Sequence, residues 1–315
     1  MSAGGSAVRQ ARVRAFAKIN LDLRVLGKRP DGYHELRTIF QTISLADTID
    51  IAFTPARKTA IELQDDLGIA DNLVTRAARL AMDAMRTTGR IAMRLTKRVP
   101  MGAGLGGGSS DAAAVLLALP PLAGRNLDMP KLCNLAQQLG SDVPFFLLGG
   151  TAVGIGRGTE LFPLSDAPPY PGLLVAPAVR VNTAEAYRAL SPRLTSESQQ
   201  NKMVSFQTQT WEPVRTAAAN DFEEVVFEQH GSLGVLKKRL LRAGAFTAMM
   251  TGSGSALFGL FRTSAEAAHA ADSLGKEDAF RISLLSRTRY RSMWWRALEQ
   301  HITGRIWPPP SRYAR

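Results

Sequence analysis

With 315 residues, 45% of them hydrophobic and 21% charged, the chain suits two domains of ordinary size and can bury a substantial core. No apolar run approaches the roughly 18 residues that span a bilayer. A single cysteine, Cys133, excludes an internal disulfide and fits a reducing cytoplasm. The net charge of +12 is uneven: Arg281 to Arg315 hold eight arginines against Glu299, so this end carries +7 and the first 280 residues +5. A moderately basic body suits substrates that carry several phosphates.

The start, MSAGGSAVRQARVRAF, lacks the apolar segment of a secretory signal and is expected to be a ragged terminus. Val13 to Val25 reads as extended, ending before the turn Pro30-Asp31-Gly32. Ile39 to Phe53 supplies further strand, with TIDIAF alternating at period two. Asp71 or Asn72 can cap a helix that puts Leu73, Val74, Ala77, Leu80, Ala81 and Ala84 on one face. Ile91, Met93 and Leu95 then mark a half-buried strand. A glycine-rich loop leads into a helix from Asp111 to Leu119, stopped by Pro120-Pro121. A helix from Met129 to Leu139, which buries Cys133, ends at Gly140 as a C′ glycine.

The proline-rich stretch from Ser165 to Gly172 marks a boundary between a first domain, 1–168, and a second, 169–288, followed by a basic tail, 289–315. The second domain reads as a strand (Leu173 to Ala176), a helix from Thr183, a polar segment (Ser191 to Thr210) and a helical region through Glu228. After these come a helix from Leu233 to Ala243, two strands around the turn Thr251 to Ser255, a helix from Ala265 to Leu274 capped by Thr263 or Ser264, and a strand near Arg281. This order predicts an α+β protein with a split βαβ, ferredoxin-like second domain. Trp294-Trp295 can pack a last helix on the body, and WPPPSRYAR is expected to be disordered.

The most informative segment is PMGAGLGGGSSDAA, which follows a strand and opens a helix. Glycines let backbone N–H groups approach an anion, and the first turn and dipole of the helix favour negative charge. The candidate phosphate-binding residues are Pro100, Met101, Gly102, Ala103, Gly104, Leu105, Gly106, Gly107, Gly108, Ser109 and Ser110. The two serines can cap the helix or meet a phosphate oxygen or its metal ion. The segment lacks the lysine of a P-loop. Gly102, Gly104 and Gly107 match G-x-G-x-x-G, but Asp128, at the spacing of a ribose-binding acid, lies in a turn and not at a strand end, so a dinucleotide fold does not fit.

P-x-x-x-G-L-G-x-x-S-S before an alanine-rich helix resembles the nucleotide loop of the GHMP kinases. AKINLDLRVLGKRPDGYHEL (Ala17 to Leu36), LGSDVPFFLLGGTAVGIGRGTEL (Leu139 to Leu161) and TGSGSALFGLF (Thr251 to Phe261) extend the resemblance from about Ala15 to Leu285. KIN, DGYH and SDVPFF are similar to the branch of that family acting on a cytidylylated sugar alcohol in the non-mevalonate isoprenoid pathway. The resemblance implies a two-domain GHMP kinase fold with a ferredoxin-like C-terminal domain, an active site between the domains, ATP with Mg²⁺, and small-molecule partners without nucleic acid or membrane.

It also implies roles. Asp142 would accept the proton of the substrate hydroxyl, with capping of the helix after it as the structural alternative. Lys18, on an apolar strand, would pair with Asp142 and face the transferring phosphate, or else reach solvent at a strand edge. Asn20 shares its face. Tyr33 would stack on cytosine, His34 would hydrogen-bond the base, and Tyr187 would cover its other face. Thr183 lies near Tyr187 or caps the helix, and Gly252, Ser253 and Gly254 would approach phosphates or form a tight turn. Ser110 is a candidate magnesium contact, without a committed protein ligand. The tail beyond Arg287 lies outside the resemblance, and truncation after Thr288 is expected to leave catalysis intact. Two alternatives remain: a GHMP kinase for another phosphorylated alcohol, and a non-catalytic nucleotide- or RNA-binding homologue, for which the basic tail is the one favourable feature.

Overall fold

Two long strands organise the molecule. The computed structural model describes residues 7–66, 68, 71–193, 218–275 and 278–302. Strands β1 (Arg9–Lys28) and β2 (His34–Pro55) pair antiparallel through most of their length, joined by the Asp31-Gly32 turn. Strand β4 (Gly89–Thr96) pairs with the second half of β2, and β5 (Thr151–Gly156) with its first half. β3 (Ala60–Asp65) adds parallel to β4, and β6 (Glu160–Pro163) antiparallel to β5. The alternation of Ile91, Met93 and Leu95 sets one face of β4 inward, as period-two patterning requires.

On that inner face lie α1 (Leu73–Met85), α2 (Gly107–Leu122), α3 (Met129–Leu139) and α4 (Val143–Leu148), sharing one core with Phe16, Ile49, Ile51 and Ile91. α2 is buried on every side from Ser110 to Leu122, which makes it the central helix of this domain. It starts four residues before the expected Asp111 and runs through Pro120-Pro121. The prolines fall in its last turn, where Ala123 N–H reaches Leu119 O and Arg125 N–H reaches Pro120 O, so burial overrides the expected stop. Asn72, not Asp71, caps α1. Gly140 ends α3 with φ 163, an extended conformation rather than a left-handed C′ cap.

The second domain is a four-stranded antiparallel sheet, β10-β7-β9-β8, made of β7 (Pro171–Val175), β8 (Thr247–Met250), β9 (Leu257–Leu260) and β10 (Ala279–Ser283). Helices α5 (Thr183–Leu190), α6 (Phe222–Gln229), α7 (Gly231–Arg242) and α8 (Ser264–Leu274) complete the βαββαβ order of a ferredoxin-like sandwich. Thr263 caps α8 in a reciprocal capping box with Glu266. The polar segment expected between Ser191 and Thr210 lies outside the described residues from position 194 onward, as does WPPPSRYAR. A third apolar cluster joins Ile19, Leu21, Val99 and Leu105 of the first domain to Leu174, Phe258 and Ile282 of the second. The two domains therefore share a core along the base of the cleft.

The segment after Arg287 is not a free tail. Helix α9 (Arg287–Leu298) inserts Tyr290, Trp294 and Leu298 into the first domain's core beside Phe16 and Phe146. Sequence patterning understated this because the helix is studded with arginines, while its three buried positions, spaced by four, face inward.

Candidate active site

The cleft brings together four segments that lie far apart in sequence. Lys18, on β1, is 3% exposed, and its ammonium donates to Asn20 Oδ1 (2.8 Å) and lies 3.5 Å from Asp142 Oδ2. Asp142 stands at the N-cap position of α4 but makes no side-chain capping bond. Its carboxylate, about one-third exposed, opens to the cleft, so the capping alternative has no support. The phosphate loop meets the same spot through backbone: Lys18 N–H donates to Leu105 O (3.0 Å).

Glycine is needed at two loop positions for different reasons. Gly104 has φ 79, and a Cβ there would collide with the Thr251 carbonyl of the other domain. Gly106 has φ 68, and its Cβ would sit 2.9 Å from Phe146 Cζ and 3.3 Å from Lys18 Cγ. The loop is thus pressed between the domains and the Lys18 side chain, with its chain bent for the entry into α2. Ser110 is buried and donates to Phe16 O (2.7 Å), which commits its hydroxyl proton to the fold and turns the side chain away from the loop mouth. Ser109 is the less buried of the pair.

Asn20 is a junction between the domains. Its Oδ1 accepts from Lys18 Nζ, from Thr251 Oγ1 (3.1 Å) and from Gly252 N–H (2.9 Å), while Nδ2 donates to Thr38 Oγ1 (2.7 Å). Its carbonyl oxygen is therefore spent on protein partners, and Asn20 orients Lys18 and the Thr251–Gly254 turn. Asn220 holds that turn from behind, donating to Met250 O and Gly252 O (2.8 Å each). Ser253 Oγ meets Thr183 Oγ1 at 2.8 Å on the exposed side. The cap of α5 is Asn182, which accepts from Ala184 and Glu185 N–H, so Thr183 is not the cap.

Tyr33 is 52% exposed, with the Arg157 guanidinium 3.6 Å from its ring centroid. His34 stacks on Tyr187 with centroids 4.5 Å apart and meets Ser191 Oγ through Nε2 (2.9 Å). Phe222 packs edge-on against Tyr187. A base can reach the Tyr187 face that His34 covers only if His34 moves aside. Burial, with Lys28 nearby, lowers the His34 pKa, which keeps the ring neutral at pH 7. Burial pushes the Tyr187 phenol up to about 12, and Asp142 adds to the shift.

Sequence reading missed Thr38, Thr251, Asn220 and Arg157, and also a buried triad beside the loop. Lys97 bridges Asp47 and Asp111 (2.7 Å to Asp111 Oδ2), and Asp47 Oδ1 also accepts from the backbone N–H of Arg98 and Val99. The one available signal was Lys97 falling three residues before the loop. Burial pushes the Asp111 carboxyl up to about 7, with Lys97 opposing and Asp47 adding to the shift. A native pKa above the unfolded one means that the native state binds this proton more tightly. The resulting stability is complete below about pH 4 and is lost as pH rises through 7. Asp111→Asn should therefore flatten the fall in stability between about pH 4 and 7, read from denaturant midpoints. An unchanged pH slope would refute the assignment.

A glycine loop opens a buried helix, a lysine–carboxylate pair stands at its mouth, and a ferredoxin-like second domain closes the cleft. The family profile "GHMP kinases N terminal domain" matches residues 72–150, and "GHMP kinases C terminal" matches 203–279. The chain is 67% identical over 313 residues to the 4-diphosphocytidyl-2-C-methyl-D-erythritol kinase of Solibacter usitatus, covering 98% of this chain and 99% of that one. It is 42% identical over 252 residues to the kinase of the same name from Pelotomaculum thermopropionicum, covering 78% and 87%. A crystal structure of 4-(cytidine 5'-diphospho)-2C-methyl-D-erythritol kinase superposes with a TM-score of 0.72 at 37% identity, covering 87% of this chain and 98% of that one. The chain belongs to the 4-diphosphocytidyl-2-C-methyl-D-erythritol kinase family. It is a kinase with ATP as phosphate donor and small molecules as substrates. Among the described residues no helix is long and apolar enough to cross a membrane.

Proposed function

We propose that the chain transfers the γ-phosphate of ATP to the 2-hydroxyl of 4-diphosphocytidyl-2-C-methyl-D-erythritol, in the non-mevalonate isoprenoid pathway and in the cytoplasm. The observation that carries this reading is the Lys18–Asn20–Asp142 cluster at the mouth of the phosphate loop, in a chain 67% identical to a kinase of that name. Loop residues Pro100 to Ser110 cradle the phosphates through backbone N–H groups and the N-terminal end of α2. Asp142 orients the acceptor hydroxyl and takes its proton. Lys18, fixed by Asn20, holds that carboxylate and offsets charge on the transferring phosphoryl group. Gly252, Ser253 and Gly254, with Thr183, border the acceptor from the second domain.

Magnesium fits this site as an ion carried by the nucleotide. Among the described residues no group of three or more His, Cys, Asp or Glu forms a cage, and the Ser110 hydroxyl proton is committed to Phe16. Phosphate oxygens and water would supply most ligands, with Ser109 the nearest free hydroxyl in the loop. When bound, the ion neutralises charge on the outer phosphates.

Cytosine recognition falls to Tyr33, with the stacked His34–Tyr187 pair as a neighbouring wall. Tyr33→Ala tests the substrate assignment. Base–aromatic stacking is worth about 1–3 kcal/mol, so kcat/KM for the cytidylylated alcohol should fall about ten- to a hundredfold. KM for ATP should hold, and the melting temperature should shift little because the ring is half exposed. On methylerythritol phosphate, which lacks the cytidine, the variant should match wild type. Equal losses on both acceptors would remove Tyr33 from base recognition.

A further inference from the structure

We infer that helix α9 positions the catalytic machinery: Tyr290 and Arg287 cap the C-terminal end of α4 and thereby fix Asp142 at its other end. This rests on Asp142 being the base. α4 has six residues, too few to persist as a helix without tertiary support, and is about 9 Å long at 1.5 Å per residue. Phe145 O accepts from Gly149 N–H, but the carbonyls beyond it have no partner within the helix. α9 reaches two of them. Tyr290 Oη donates to Phe146 O (2.5 Å), and Arg287 Nε donates to Gly149 O (3.2 Å).

The same guanidinium donates to Thr151 O and Leu164 O, and Arg287 N–H donates to Asp166 Oδ2 (2.8 Å). The cation thus sits where the helix dipole is negative, within a fixed frame of acceptors. The Tyr290 ring lies flush against Gly149, where any Cβ would enter it. Burial raises the Tyr290 pKa, so the phenol remains a donor across the working pH range.

Phe146 carries the effect further. Its carbonyl accepts the Tyr290 hydrogen bond, while its ring packs against Gly106 of the glycine loop, where a Cβ would meet it and Lys18 Cγ together. One residue therefore links the α9 cap to the loop turn at Gly106, on which the lysine that pairs with Asp142 also packs. A shift of α4 would move the base relative to the phosphate, and misplacement by about 1 Å can cost on the order of a hundredfold in rate.

The test is kinetic, on the full chain. Tyr290→Phe removes the donor and keeps the ring; Arg287→Met removes the second cap and serves if the first variant misfolds. Each folded variant should lose about tenfold in kcat, with KM for ATP and for the alcohol within about twofold of wild type. In an Asp142→Asn background, Tyr290→Phe should cost nothing further, because its effect runs through the missing carboxylate. Wild-type kcat in both α9 variants beside an inactive Asp142→Asn would overturn the positioning role alone, leaving a purely structural helix. An equal further loss in the Asp142→Asn background would also overturn it. Wild-type turnover by Asp142→Asn itself would overturn the base assignment and this route together.

Discussion

Asp142→Asn should lower kcat by about 10²–10⁴-fold, the range that positioned general-base catalysis supplies. The substitution keeps the size of the side chain and removes the charge that faces Lys18 at 3.5 Å. The loss should fall on kcat more than on KM, since the proton moves on the way to the transition state. Affinity for ATP should hold, because the loop contacts Lys18 by backbone and Phe146 by its ring, and neither contact involves the carboxylate. Stability should fall somewhat: Asp142 makes no capping bond, but the buried Lys18 keeps only Asn20 as a close partner. The measurement is steady-state turnover beside calorimetric titration with ATP. A variant with near-normal turnover would return Asp142 to a structural role.

Truncation after Thr288 should abolish the folded state. It deletes Tyr290 (2% exposed), Trp294 (3%) and Leu298 (0%), all members of the first domain's core. Removing one buried aromatic side chain costs about 3–5 kcal/mol, and the whole stability of a domain is about 5–15 kcal/mol. Deleting two aromatics and a leucine, with the Tyr290 cap on α4, uses up that margin. The truncated chain should lose its cooperative melting transition and its near-ultraviolet circular dichroism. Trp294→Ala should remain folded but melt markedly earlier. A soluble, active truncation would show that α9 adds nothing the core requires. The sequence led to the opposite expectation because the family resemblance stops near Leu285, although Trp294 was there to pack a last helix on the body.

The sequence by itself determined the parts of this protein that are written in contiguous residues. The glycine loop before α2 was legible because glycines at fixed spacing before a helix are a backbone requirement, and Gly104 and Gly106 do take positive φ. The ferredoxin-like order was legible because strand and helix periods alternate locally, and Lys18 with Asp142 was legible through the motifs that hold them. Tertiary structure alone decided what depends on distant partners. Asn20 meets Thr251 and Gly252 across more than 230 residues, a joint between domains that its place in the sequence does not announce. His34 stacks on Tyr187, and Ser110 donates a hydrogen bond to Phe16 O, 94 positions away. Pro120 and Pro121 stay inside α2 because the core around them is closed. Periodicity records which face of an element is apolar. It carries no information on which other element will cover that face, and on that choice rest the cleft, the orientation of its polar groups and the place of α9.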